Sequence, residues 1–192
     1  MKRILLFFLA LILFLPSCGG QNKMVKAGTV AQNVKENKNL FLQCYEILSE
    51  MKKERVYVAM EEEKDEDKNE IEGSKRLVLY EKESDERTEI ENEILEKALT
   101  DFGLALIFYQ TASDGRVCVI FSYTKENEKG KVQNGFYYSP DTQPCAWWGR
   151  RGELIRRDDR YLQLNRKEDA VYYTASIEDS FYYFEKYGDL LA

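Results

Sequence analysis

The sequence predicts an α+β fold: a mostly antiparallel sheet with two or three packing helices. Two observations predict it. Stretches with apolar residues at helical spacing alternate with short runs rich in β-branched and aromatic residues. A turn containing Asp114-Gly115 also joins two apolar runs near the middle of the chain, the signature of a hairpin at the centre of a sheet.

From about Val34, the residues Val34, Phe41, Cys44, Leu48 and Met51, flanked by Leu40 and Ile47, form the apolar stripe of an amphipathic helix. Arg55 to Met60 reads as a strand, Glu61 to Gly73 as a charged loop, and Lys75 to Lys82 as a second strand completing a hairpin. Thr88 and Glu91 fit a capping box, ahead of a helix whose Ile90, Ile94, Ala98, Leu99 and Phe102 share one face and which ends at Gly103. Leu104 to Gln110 and Arg116 to Tyr123 are the central hairpin. Strands follow at Val132 to Tyr138, where Asn134-Gly135 threatens an interruption, then at Glu153 to Arg157, Tyr161 to Asn165 and Ala170 to Ala175. Ser176 is then read as the cap of a last helix, with Ile177, Phe181 and Phe184 facing inward and Gly188 past its end. There is no internal repeat.

The N-terminus has a different logic. Lys2 and Arg3 precede Ile4 to Leu15, twelve residues without a charged or polar side chain, ending at Pro16. This is the layout of an export signal, and it falls short of the roughly 20 apolar residues that a membrane-spanning helix needs. Leu15-Pro16-Ser17-Cys18-Gly19 resembles the lipobox of bacterial lipoproteins. That resemblance implies cleavage before Cys18, acylation of Cys18, and a cell-envelope location outside the cytoplasm. If the organism has two membranes, the outer one is preferred, because Gly19 carries no retention charge. The expected organisation is a signal peptide over 1–17, a flexible tether over 18–33 and a single α+β domain over 34–192.

Composition narrows the function. The chain has 28 basic and 34 acidic residues; loss of Lys2 and Arg3 with the signal leaves a mature net charge of −8, unsuited to general nucleic-acid binding. Residues 50–115 carry 20 acidic and 10 basic side chains, whereas residues 116–192 carry 12 of each. There is no histidine, which excludes Ser-His-Asp and Cys-His nucleophile pairs, His-ligated zinc and His general bases. No cofactor motif is present.

Besides Cys18 there are Cys44, Cys118 and Cys145, which allow three pairings with one thiol left over. Cys118 with Cys145 is the favoured bridge if one forms, and buried free thiols are the competing reading. The acidic run from Glu61 to Asp67 invites a calcium site, and Asp65, Asp67 and Asn69 begin like an EF-hand loop. Glu70 then stands where that loop needs glycine and Arg76 where it needs a bidentate carboxylate, so the run reads as a solvated loop and no metal site is assigned. The pairs Tyr137-Tyr138, Tyr172-Tyr173 and Tyr182-Tyr183 read as sheet packing.

The stretch from Cys145 to Arg160 is the candidate ligand site. Trp147 and Trp148 could stack on a sugar ring or a peptide side chain, and Arg150, Arg151, Arg156, Arg157 and Arg160 could grip carboxylates or phosphates bidentately. The competing reading buries one tryptophan and pairs the arginines with the protein's own acids. The expected function is a membrane-anchored, non-catalytic lipoprotein that binds a protein or an anionic envelope component. A His-free hydrolase acting through carboxylates and an inhibitor or immunity module are the alternatives.

Overall fold

Ten strands, all paired antiparallel, form one sheet in the computed structural model, which describes residues 24–64, 70–81, 86–111, 115–123, 133–146, 154–165 and 170–188. The elements run α1 (Ala27–Glu50), β1 (Arg55–Lys64), β2 (Glu70–Glu81), β3 (Glu86–Glu89), α2 (Glu93–Asp101), β4 (Leu106–Thr111), β5 (Val117–Ser122), β6 (Gln133–Tyr138), β7 (Ile155–Arg157), β8 (Arg160–Asn165), β9 (Ala170–Glu178) and β10 (Phe181–Tyr187). Across the sheet the order is β3-β2-β1-β4-β5-β6-β10-β9-β8-β7. The β4–β5 hairpin therefore occupies the centre, where its Asp-Gly turn signal placed it.

α1 and α2 cover one face of this sheet. Val30, Val34, Phe41, Cys44 and Leu48 recur on one side of α1 and are completely buried. They meet Val56, Val58, Leu77, Leu79, Ile107, Tyr109, Val119, Phe121 and Phe136, the inward residues of alternating strand positions. Phe41 sets its ring edge against Phe102, Phe121 and Phe136 at centroid distances of 5.1, 5.1 and 4.7 Å, and Phe121 and Phe136 stack on each other at 4.7 Å. Such arrangements add roughly 0.5–1.5 kcal/mol per pair to the area buried.

α1 begins at Ala27, inside the stretch 18–33 read as a tether, because Val30 and Val34 continue its apolar stripe one turn upstream. It bends at Asn37, whose side-chain amide donates to the Asn33 carbonyl at 3.1 Å and whose backbone leaves helical angles. α2 starts four residues later than the Thr88 signal. Thr88 is committed to β3, opposite Leu79, so Asn92 takes the cap instead and accepts from the Leu95 amide at 3.0 Å. The helix closes as expected at Gly103, in the left-handed region at φ 62°, with Leu104 donating to Leu99 and Gly103 to Thr100.

Two expectations need correction. The charged segment 61–73 is not simply a loop, because β1 runs on to Lys64 and β2 begins at Glu70. Opposite charges across the strands make this tolerable: Glu62 faces Lys75 with a 3.1 Å ion pair, and Glu61 bonds Arg87 of β3. The expected helix capped by Ser176 is also absent. Ile177, Phe181 and Phe184 lie instead in the β9–β10 hairpin, whose two-residue turn holds Asp179 at φ 45°. Three apolar residues at helical spacing were outweighed by an aromatic run, Phe181 to Phe184, that fills both faces of a strand. The fold thus has more strand than the α+β description implies, with two helices among the described residues.

Gly135 does not interrupt β6. It pairs with Ser122 and Phe184, and a Cβ there would stand 2.1 Å from the Phe121 carbonyl oxygen and 3.0 Å from the Phe184 ring. Gly135→Ala is therefore expected to destabilise the protein by about 3 kcal/mol through overpacking, read as a lower urea midpoint at unchanged m value.

Candidate functional site

Of the residues singled out in the sequence, Cys18, Trp147, Trp148, Arg150 and Arg151 lie outside the described residues. Arg156, Arg157 and Arg160 are placed together on the β7–β8 hairpin at the edge of the sheet, and all three are exposed. The turn between them holds Asp158 at φ 52°. Arg157 and Arg160 are directly opposite one another, so their side chains leave the same face, while Arg156 pairs with Tyr161 on the other. Like charges facing across an antiparallel pair destabilise it. Among the described residues the acid in ion-pair reach of this pair is Asp159, 3.9 Å from Arg160 Nε and itself largely exposed, a contact worth little in water. Among the described residues no acid forms an ion pair with Arg157.

A second cluster lies on the sheet face opposite the helices and was only partly visible in the sequence. Cys118, Ile120, Tyr137, Cys145, Tyr172, Tyr182 and Phe184 pack together there. Tyrosine hydroxyls hold residues 139–146 over this face: Tyr182 donates to the Thr142 carbonyl at 2.7 Å and Tyr172 to the Cys145 carbonyl at 3.1 Å. The Cys145 amide donates to the Tyr137 hydroxyl at 3.0 Å, Tyr137 donates to Thr174 Oγ1 at 2.9 Å, and Thr174 donates to the Tyr183 carbonyl at 2.9 Å. Every hydroxyl proton in that chain has one acceptor, which satisfies polar groups that water cannot reach. Burial pushes the Tyr137 and Tyr172 hydroxyls well above the ordinary tyrosine range, so both stay protonated donors.

The cluster holds two buried free thiols, Cys118 and Cys145. Interaction with the Cys118 thiol lowers the Cys145 pKa, with the Arg116 charge contributing, against the opposing effects of burial and of Asp141. Arg116 Nη1 is 3.8 Å from Cys145 Sγ. Ser139 Oγ is 3.6 Å from the same sulfur, but its proton is committed to Asp141 Oδ1 at 2.8 Å. Arg116 is thus the donor within reach of Cys145 Sγ that favours a thiolate there. Arg116, one residue before β5, and Cys118 stand two residues apart, the readable signal that they share a face. Cys44 is separate: it is fully buried under α1, and burial pushes its thiol up to about 12.

Among the described residues no group of His, Cys, Asp or Glu is gathered to hold a metal, and no helix is long and apolar enough to cross a membrane. No family model, curated protein or solved structure matches this chain.

The tyrosine relay has a direct test. Tyr137→Phe leaves the Cys145 amide without its buried acceptor and is expected to cost about 1–3 kcal/mol, measured by chemical denaturation, with faster hydrogen exchange at that amide.

Proposed function

We propose that this chain is a lipid-anchored envelope protein that binds, without catalysis, an anionic envelope component through the β7–β8 hairpin. The observation that carries this reading is the pair Arg157 and Arg160, exposed and facing each other at a sheet edge where, among the described residues, only the exposed Asp159 lies in ion-pair reach. Two guanidinium forks on one face suit a phosphate or carboxylate held by both.

Attachment geometry supports the reading. Asn134 donates to the Val25 carbonyl at 2.6 Å, and the Tyr187 hydroxyl reaches Met24 Sδ at 3.9 Å. The start of the described chain is thereby joined to the end of the sheet formed by the beginning of β6 and the end of β10. Cys18 is six residues before Met24, and six residues extend at most about 22 Å. If Cys18 is acylated, this end of the sheet stays near the bilayer. The register places the Arg157–Arg160 turn toward the other end, level with Ala175 rather than Ala170. The arginines would then face away from the anchoring membrane.

Two experiments test the proposal. Cys18→Ser is expected to abolish acyl labelling and release the protein from membranes; continued membrane retention without label overturns the anchor. Replacing Arg157 and Arg160 together with glutamate is expected to weaken retention on phosphate-bearing envelope polymers by about tenfold or more, with a strong salt dependence in the unaltered protein. Equal retention of both forms removes the arginine site, and retention only on an acidic protein assigns it to a protein partner.

A further inference from the structure

Cys118 and Cys145 belong to different parts of the chain, and their placement is not needed for the basic hairpin. Cys118 is fixed in the central strand β5, opposite Gln110. Cys145 ends the 139–146 segment, with its backbone amide and carbonyl both held by tyrosines. The two are 3% and 2% exposed and pack within one cluster. We infer that Cys118 and Cys145 are a disulfide-forming pair, which closes residues 139–146 onto β5 by exchange with a protein or small-molecule disulfide, while Cys44 stays a thiol.

The chemistry balances in two displacements. The Cys145 thiolate attacks one sulfur of the oxidant's disulfide, forming a mixed disulfide and expelling a thiolate. Cys118 then gives up its proton and its sulfur attacks Cys145 Sγ, expelling the oxidant's second thiolate. One S–S bond is made and one is broken. Two electrons pass from the pair to the oxidant, whose sulfurs leave as two thiols after taking up two protons.

The arrangement assigns the order of attack. Cys145 lies on the 139–146 segment, which side-chain hydroxyls hold to the sheet, whereas Cys118 is fixed within the central strand β5 and acts second. Because Cys145 is so little exposed, the first step takes place when 139–146 lifts from the sheet or before it docks. Cys44 is excluded by position, since it lies under α1 on the opposite face of the sheet.

The test is to equilibrate the purified full chain in an oxidised glutathione buffer, block free thiols under denaturing conditions, and map the peptides without reduction. The expected result is a single linked species joining the Cys118 and Cys145 peptides, with two fewer blocked thiols than after reduction and with Cys44 blocked in both. Amide exchange at Cys145 is expected to slow by about tenfold or more on oxidation. Cys118→Ala is expected to leave Cys145 as a mixed disulfide with glutathione and to abolish the slowing. Separate blocking of Cys118 and Cys145 in oxidising buffer, or a bridge that includes Cys44, overturns the inference; unchanged exchange overturns the closure. The readout is independent of Cys18, so it stands or falls separately from the lipid anchor.

Discussion

The fold depends on the seating of α1 across the middle of the sheet through Phe41. Its ring meets Phe121 and Phe136 of two adjacent strands and Phe102 beyond α2, so one side chain joins both helices to the sheet centre. A truncated ring at this place would cost about 3–5 kcal/mol, a large share of the total stability of a domain this size. The close approach of β5 and β6 beneath it depends in turn on Gly135 having no side chain. Packing of this kind admits little substitution because interiors have almost no free volume.

Covering one face with helices would suffice for an ordinary antiparallel sheet, with the other left to water. Here β5, β6 and β10 are buried on both faces, which explains why adjacent residues such as Phe136 and Tyr137, or Phe181 and Tyr182, are all large and aromatic. Burial on the second face is achieved with tyrosines rather than phenylalanines. Their rings stack, as Tyr137 does on Tyr182 at 5.1 Å, while their hydroxyls hold the backbone of residues 139–146. That segment is retained by directed hydrogen bonds to the sheet, which set Cys145 in the same cluster as Cys118.

The two edges of the sheet are treated alike. β3 offers Glu86, Arg87, Thr88 and Glu89, all exposed, and β7 is three residues long with two arginines. Short, charged edges discourage pairing with another chain's strand. At β3 the charge is matched locally, since Arg87 bonds Glu61 and Arg76 bonds Glu89. At β7 and β8, among the described residues, the facing arginines have only the 3.9 Å contact of Arg160 with Asp159.

Much of this was legible in the residues. The stripe of Val34, Phe41, Cys44 and Leu48, the stop of α2 at Gly103, and the central β4–β5 hairpin each depend on neighbours within a few positions, where backbone geometry imposes periods of 3.6 or 2. The absence of histidine needs no structure at all. What failed was judged locally but decided at long range. The last segment carries both a helical triple and an aromatic run, and the pairing of β10 with β6 and β9 chose the strand. Glu61 to Lys64 read as a loop until Arg87 and Lys75 neutralised it from other strands. The gathering of Cys118 and Cys145 in one cluster follows from tyrosines of β6, β9 and β10 holding residues 139–146 across the second face, which depends on the face each strand gives to the core and can be read only once the sheet is assembled.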